Sequence, residues 1–207
     1  MSWTRALKRS STATAAATIA APVARDFTPQ NADDALMMAY ARGKLSALDE
    51  LVARYRLPLL RFAYRVTGDE SCAEDVVQET FVRVMQKAQS YSARGYFKTW
   101  LFTIAANLCK DELKRRTRHN ECSLDFLDEL QGDSAPAVTE ADALLRWQLS
   151  IALQTLPTDH RMALVLHHCQ QFSYDEIGEV LGCPAGTVKS RVHYALQHLR
   201  KVMRVQP

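Results

Sequence analysis

The sequence has little glycine, little proline and no long apolar run, and each scarcity excludes a class of structure. Only seven glycines and seven prolines occur among 207 residues, of which 47% are hydrophobic. This composition, rich in residues that favour helices, predicts a helical protein rather than a sheet protein. No run approaches the eighteen apolar residues expected of a membrane span, so we expect no membrane insertion.

Cysteine pairs and catalytic motifs are also missing. The five cysteines are scattered, odd in number and form no CxxC pair. This pattern is typical of a reduced cytosolic chain rather than a disulfide framework. The sequence has no glycine-rich phosphate loop, metalloprotease motif or nucleophile elbow. We therefore expect no catalytic residues, no metal, no cofactor and no enzymatic activity of its own.

Charge is distributed unevenly along the chain, although the net charge is only +3. Residues 96–118 hold six bases against two acids, and residues 184–207 hold five bases and no acid. Between them, residues 121–145 hold seven acids and no base. Two basic segments separated by an acidic one suggest two anionic contacts joined by a connector.

The first 25 residues are rich in Ala, Ser and Thr and contain four bases and no acid. An organelle transit peptide or a weak secretory signal has this composition. The apolar part is mostly Ala and Thr, which is too weakly hydrophobic for a good export signal. We interpret residues 1–32 as a disordered leader.

Helical periodicity is nearly continuous from Asp33 to Arg118 and predicts a helical bundle. Pro58 should kink or divide one helix, and Ser71 to Glu74 fits a capping box that would open the next. After a loop at 89–95, a further long helix combines a buried stripe with an aromatic, polar and basic face. That second face comprises Tyr96, Trp100, Thr103, Asn107, Lys110 and Lys114.

A second helical block begins near Ala141, after an acidic linker at 123–139. Ser173 and Glu176 form a capping box for a short helix, Gly182 follows in a turn, and Pro184 can start the next, basic helix. A short helix, a turn and a basic helix are typical of a helix-turn-helix. The outer face of the last helix carries cations, hydroxyls and amides, which suit a major-groove reader.

Both blocks resemble a known family. The run ALQTLPTDHRMALVLHHCQQFSYDEIGEVLGCPAGTVKSRVHYALQHLRKV is similar to region 4 of bacterial sigma factors of the extracytoplasmic-function (group IV) branch. The runs LDELVARYRLPLLRFAYRVTGD, AEDVVQETFVRV and FKTWLFTIAANLCKDELKRR are similar to region 2 of that branch. The resemblance implies an all-α protein of two small helical domains. Residues 33–119 would form the region 2 bundle, 120–140 a flexible acidic linker, and 141–207 the region 4 helix-turn-helix.

The resemblance also implies three functional surfaces. The surface docking on the polymerase would comprise Asp75, Gln78, Glu79 and Phe81. The surface for recognition and melting of the −10 element would comprise Tyr91, Tyr96, Trp100, Asn107, Lys110, Lys114, Arg115 and Arg116. The −35 element would be read by Thr187, Lys189, Ser190, Arg191, His193 and Tyr194. Whether Trp100 faces DNA or the core stays open at this point.

The function implied is that of a specificity subunit in the bacterial cytoplasm. Its partners would be the β′ and β subunits of core RNA polymerase, promoter DNA and an inhibitory anti-sigma factor. One alternative is a conventional helix-turn-helix regulator that acts without polymerase. Another is a metal or redox sensor, because His167, His168, Cys169 and Cys183 have ligand types suited to zinc or copper.

Overall fold

The computed structural model describes residues 32–92, 96–119 and 140–204, with the side chains of 119, 140–143 and 204 left aside. The leader predicted at 1–32 and the linker predicted at 120–140 lie outside the described residues except for Ala32 and Glu140, the first residues of two helices. Within those residues the chain is all-α, as predicted. The helices are α1 (Ala32–Ala41), α2 (Leu45–Thr67), α3 (Glu70–Lys87), α4 (Phe97–His119), α5 (Glu140–Gln154), α6 (Thr158–Gln170), α7 (Tyr174–Leu181) and α8 (Ala185–Arg204), with a 3₁₀ turn at Ala88–Ser90 after α3.

Pro58 was expected to kink or divide α2; the helix is continuous through this residue, so the division is wrong. An interior proline costs about 3 kcal/mol because it removes a backbone donor and crowds the preceding turn. Large side chains on both sides of it, including Leu51, Leu59 and Phe62, are fully buried. Each such burial contributes roughly 1.5–3 kcal/mol, so packing on both sides of Pro58 outweighs the local cost.

α3 starts earlier than the Ser71 capping box predicts. Asp69 is the N-cap, and its Oδ1 accepts a hydrogen bond of 2.6 Å from the amide of Cys72. The preceding Gly68 ends α2 in the left-handed conformation, with φ of +74°, which glycine adopts without steric cost. The turn between α2 and α3 is therefore only two residues long, which leaves Ser71 inside the helix.

The second block has the predicted helix-turn-helix. Ser173 and Glu176 form the complete capping box, and Gly182 ends α7 in the left-handed conformation. A Cβ on Gly178 would lie 2.7 Å from the carbonyl oxygen of Cys183, so only glycine allows the chain to fold back this closely. Pro184 precedes α8 rather than opening it, and its carbonyl accepts hydrogen bonds from the amides of Thr187 and Val188.

The two blocks share one hydrophobic core, which the sequence patterns did not predict. Phe102 of α4 packs edge-to-face on Phe172, which follows α6, with ring centroids 5.1 Å apart. Lys98 Nζ lies 4.2 Å from the centroid of the Phe172 ring and donates a 2.8 Å hydrogen bond to the carbonyl of Gln170. The cation therefore satisfies a carbonyl at the end of α6 and lies over the face of the Phe172 ring.

Arg161 is the polar centre of this packing and is 6% exposed. Its guanidinium donates to the carbonyl of Val66 at the end of α2, and to the carbonyls of Gln154 and Leu156 at 2.9 and 3.0 Å. Burial lowers its pKa to about 10, so it is still cationic at neutral pH. A positive charge among carbonyls at the ends of α2 and α5 is favoured by the helix dipoles and joins the two blocks.

Candidate nucleic-acid and partner-binding surfaces

The outer face of α8 separates cleanly from its buried face. Val188, Val192, Ala195 and Leu199 are buried against α6 and α7. Between them, the side chains predicted to read DNA point outward: Lys189, Ser190 and His193 are exposed, Thr187 is half-buried, and Tyr194 is 51% exposed. The helix therefore presents cationic, hydroxyl and aromatic groups together on one solvent-facing strip.

Arg191 differs from its neighbours on α8 because it is engaged within the protein. Its Nη2 lies 3.0 Å from Asp159 Oδ2, and its Nη1 donates to Cys183 Sγ at 3.4 Å. The side chain is only 22% exposed. This predicted DNA contact is therefore held by a carboxylate of α6 in the packed structure.

Tyr194 is supported from below by two histidines. Its ring centroid lies 4.9 Å from that of His160 and 6.4 Å from that of His198, to which it is nearly parallel. Burial, together with the charge of Arg191, lowers the pKa of His160, which keeps this imidazole neutral at pH 7. The exposed phenol thus packs against the neutral imidazole of His160.

The basic half of α4 is largely neutralised by nearby acids. Arg115 and Arg116 both pair with Glu112, at 2.7 and 3.0 Å, and Arg116 also reaches Asp69 Oδ1 at 3.1 Å. Hydrogen bonds from Arg115, and then from Arg116, lower the pKa of Glu112 despite its partial burial. Lys114 is exposed, and within the described residues it has no ion pair. In this structure, therefore, only some cations of the predicted basic face are available to bind DNA phosphates.

Asp159 connects the two basic helices. Its Oδ1 lies 3.1 Å from Lys110 Nζ of α4, while its Oδ2 binds Arg191 of α8. The family resemblance assigns both cations to DNA, one to each promoter element. Asp159 itself was missed, because no local pattern distinguishes a first-turn acid of α6 from an ordinary helix-dipole residue.

The aromatic residues at the start of α4 form a partly buried cluster. Trp100 packs on Tyr91 and Phe97, with ring centroids 4.9 and 5.9 Å apart. The Tyr91 hydroxyl donates a 2.5 Å hydrogen bond to Asp34, and burial together with this contact raises its pKa far above 10. Trp100 therefore lies at the edge of the core with part of its surface in solvent, and Tyr96 and Asn107 are likewise half-buried.

Of the four residues of α3 assigned to polymerase docking, three are exposed and one is buried. Asp75, Gln78 and Glu79 are exposed, and Glu79 pairs with Arg83 one turn later at 2.9 Å. Phe81 is 0% exposed and lies in the core. Its placement on a docking surface is therefore wrong: it follows the buried stripe of Val77 and Val84, and it can only support the face from behind.

Two regions of the chain match sequence models of one family. The model described as Sigma-70 region 2 matches residues 51–119, and the model described as Sigma-70, region 4 matches residues 146–199. A relative described as ECF RNA polymerase sigma factor SigW, from Bacillus subtilis, is 32% identical over 177 residues, covering 79% of this chain and 92% of the relative. The chain belongs to the ECF sigma factors of the sigma-70 family.

Further relatives agree with this assignment of the sigma factor. ECF RNA polymerase sigma factor SigE of Mycolicibacterium smegmatis is 40% identical over 154 residues, which cover 73% of this chain but only 60% of the relative's length. Among solved structures, CnrH in complex with the cytosolic domain of CnrY matches with a TM-score of 0.67 at 25% identity, covering 86% of this chain and 100% of that one. The sigma factor RpoE in complex with the anti-sigma factor NepR, from Bartonella quintana, gives 0.61 at 28%, covering 77% and 98%.

The region 2 match spans most of α2 and all of α3 and α4, and the region 4 match runs from α5 to α8. Every surface residue discussed above lies inside one of these two matches. α1, with its two buried acids, precedes the region 2 match and belongs to neither.

The alternative hypothesis was a metal or redox sensor built from His167, His168, Cys169 and Cys183. Within the described residues of this sigma factor, no three potential metal ligands come together. His167 stacks on Tyr174 at 4.5 Å, and its Nδ1 lies 2.9 Å from the carbonyl of Phe172. Cys169 is exposed and Cys183 accepts from Arg191. In the same residues, no helix is long and apolar enough to cross a membrane.

Proposed function

We propose that this sigma factor binds core RNA polymerase and directs it to promoters that carry separate −10 and −35 elements. The observation that supports this most strongly is that both family regions occur in one chain, and that each carries its own exposed polar face. A regulator that only binds duplex DNA would need the helix-turn-helix but would have no use for region 2. The match covers 60% of the length of the mycobacterial relative.

Region 4 reads the −35 element through the outer strip of α8. Lys189, Ser190 and His193 are exposed on one face and suit base edges and phosphates of a major groove. Thr187 supports this strip from the first turn, and Tyr194 extends it with an aromatic edge. Lysine donates as a point charge rather than as a fork, so Lys189 discriminates guanine less sharply than arginine would.

Region 2 opens the −10 element and holds the unpaired strand. Opening a duplex removes base stacking, and aromatic faces replace it at roughly 1–3 kcal/mol per stacked base. Tyr96 and the solvent-facing edge of Trp100 are the surfaces for this contact. Tyr91 packs against Trp100 and is itself held by a hydrogen bond to Asp34. Asn107 and the cations of α4 follow the phosphates; these are Lys110, Lys114, Arg115 and Arg116.

The acidic face of α3 docks on the β′ subunit of the polymerase, while β completes the holoenzyme. Asp75, Gln78 and Glu79 are exposed on adjacent turns of α3, and an acidic helix face suits a cationic partner helix. Polymerisation chemistry belongs to the polymerase, so the sigma factor is not an enzyme. It acts in the bacterial cytoplasm, where its partners are.

The packed arrangement of the two regions has to open before the promoter is bound. Lys110 and Arg191 contact the same carboxyl group of Asp159 and therefore lie within a few ångströms of each other. The two promoter elements are about 25 base pairs apart, which is roughly 85 Å of duplex at 3.4 Å per step. One packed chain cannot reach both. We infer that an anti-sigma factor inhibits this protein by holding the packed form, and the solved RpoE–NepR complex supports that class of partner.

Transcription run-off with purified core polymerase tests the proposed function. The expected result is specific initiation from a promoter recovered by sequencing the transcripts that overexpression raises. Core polymerase alone and the chain alone serve as controls. Tight footprinting of duplex DNA by the free chain, without any specific initiation when core polymerase is added, would contradict the proposal and favour a conventional regulator.

A further inference from the structure

α1 lies between α2 and the start of α4 and carries two adjacent buried carboxyl groups. Asp33 is 6% exposed and Asp34 is 0% exposed. A buried carboxyl group is costly unless it is hydrogen-bonded, so its partners indicate its role. The two acids have different partners, and neither set follows from the spacing of residues in the sequence.

Asp33 fastens α1 to α2. Its carboxylate accepts hydrogen bonds from the guanidinium of Arg54 and the hydroxyl of Tyr55. Burial and the contact with Asp33 raise the pKa of Tyr55 well above its usual value, so this phenol is a permanent donor at neutral pH. Among the described residues, the hydrogen bonds of Asp33 reach only α2.

Asp34 fastens that segment to α1. Its Oδ1 accepts a 2.5 Å hydrogen bond from the hydroxyl of Tyr91 and a 3.2 Å hydrogen bond from the amide of Phe97. Tyr91 follows the 3₁₀ turn, and Phe97 is the first residue of α4. One carboxyl group therefore fixes the chain on both sides of the entry to α4 and caps the helix as well.

A second contact with α1 holds the chain just before Tyr91, in the 3₁₀ turn. Gln89 Nε2, in the 3₁₀ turn, donates a 2.9 Å hydrogen bond to the carbonyl of Ala41, the last residue of α1. Tyr91 then packs against Phe97 and Trp100, with ring centroids 6.0 and 4.9 Å apart. The entry to α4 and, through Tyr91, the ring of Trp100 are thus held by the side chain of Asp34 and the carbonyl of Ala41.

We propose that Asp34 is a positioning residue for recognition of the −10 element. It does not contact DNA, because it is fully buried; it sets the positions of Tyr91, of the first turn of α4 and, through Tyr91, of Trp100. This inference rests on the proposed function of region 2 and deepens it. Loss of Asp34 loosens the surface that distinguishes bases, whereas loss of Asp33 removes contacts to α2 and leaves the hydrogen bonds of Asp34 to Tyr91 and Phe97 in place.

The test compares base preference between matched variants of the full chain in complex with core polymerase. Promoters with every base at each −10 and −35 position are transcribed together, and the transcripts are counted for wild type, Asp34→Ala, Asp33→Ala and Tyr91→Phe. Thermal unfolding of each free variant is measured in parallel. Asp33→Ala is the matched control, because it removes a neighbouring buried carboxyl group that has two hydrogen bonds of its own.

The expected result is a loss of selectivity at −10 alone. In Asp34→Ala the ratio between the preferred and the least-used base at −10 falls roughly tenfold, which corresponds to losing hydrogen bonds to a buried carboxyl group. Tyr91→Phe keeps the ring and loses one of these bonds, so the ratio falls about threefold. Base preference at −35 is unchanged in both variants. Asp33→Ala keeps the wild-type base preference at −10, even if its melting temperature falls as much as that of Asp34→Ala.

A wild-type ratio at −10 in both Asp34→Ala and Tyr91→Phe would overturn the inference while leaving the proposed function intact. Equal losses in Asp33→Ala and Asp34→Ala would also overturn it, because they would indicate a general loss of stability. If Asp34→Ala does not fold, Tyr91→Phe decides alone. A wild-type chain without promoter-dependent transcripts would overturn the proposed function, and this inference with it.

Discussion

The two basic helices of this sigma factor, α4 and α8, are similar in sequence character but different in their surroundings. The arginines of α4 are bound by acids of their own region, Glu112 and Asp69. On α8, Lys189 is exposed without an ion pair among the described residues, and Arg191 is held by Asp159. A run of bases therefore indicates a candidate DNA surface, but the acids that fold next to it decide which cations are free to bind phosphate.

The largest effect is expected from charge reversal on α3, which should weaken binding to polymerase but not binding to DNA. Reversing the acidic face of α3 with Asp75→Arg and Glu79→Arg together should weaken binding to core polymerase by at least about a hundredfold, because like charges placed together cost several kcal/mol. Binding of the free variant to duplex DNA should not fall. The measurement is a fluorescence titration of labelled chain with core polymerase, with Glu74→Arg, another exposed acid of α3, as the control. Normal polymerase affinity in the double variant would show that the docking surface is elsewhere.

The next largest effect is expected when an exposed side chain on the outer face of α8 is removed. Lys189→Ala should lower initiation that depends on the −35 element roughly tenfold, since one good contact to a base edge contributes about 1–3 kcal/mol. Tyr194→Ala should act in the same direction. Affinity for polymerase should be unchanged in both. Run-off transcription gives the measurement, and Lys201→Ala supplies an exposed lysine of the same helix as a control. Equal losses at Lys189 and Lys201 would indicate a general charge effect rather than recognition.

Removing Asp159 should free one additional cation for DNA binding on each of the two basic helices, α4 and α8. Asp159→Ala releases Lys110 and Arg191 together, so the free chain should bind nonspecific duplex DNA more tightly at low salt. Two released cations would steepen the plot of log affinity against log salt by up to about 1.8 units, at roughly 0.9 per phosphate contact. Asp175→Ala, an exposed acid in the first turn of α7, is the matched control. An unchanged salt slope would mean that neither cation is restrained by Asp159.

The smallest expected effect lies within α4. Lys114→Ala should reduce the salt slope of DNA binding by nearly one unit, because this lysine is exposed and has no ion pair in the described structure. Arg115→Ala should reduce it less, since Arg115 is already paired with Glu112. Filter binding over a series of salt concentrations measures both. A larger loss from Arg115 would reverse the order of free and restrained cations on this helix.

Much of the fold follows from local patterns, because helices depend on neighbours in sequence. Apolar spacing located the buried faces of α4 and α8, and the Ser173 capping box marks the start of α7. The position of Pro58 inside an unbroken helix did not follow, since the burial that compensates for it comes from distant residues. The contact between Arg161 and Val66 joins residues 95 positions apart, which no local pattern can indicate.

The same distinction applies to the functional surfaces. The sequence indicates which side chains of α8 have the right chemistry. Within the described part of the chain, Arg191 is the one among them that an acid holds. Phe81 fits the family pattern for docking and the apolar stripe of α3 equally well, and only packing decides that it is core. Asp34 and Asp159 have no local signature, because their importance comes from partners on other helices.

The separation of regions 2 and 4 on binding tests the central claim most directly. Dyes are attached through Asp111→Cys on α4 and Lys201→Cys on α8, two exposed positions without an assigned role, in a chain whose Cys122 and Cys169 are replaced by serine. Energy transfer between the dyes should be high in the free chain and close to background in a transcribing complex, where the two elements are roughly 85 Å apart. Transfer that stays high in a complex that is actively initiating would contradict the account.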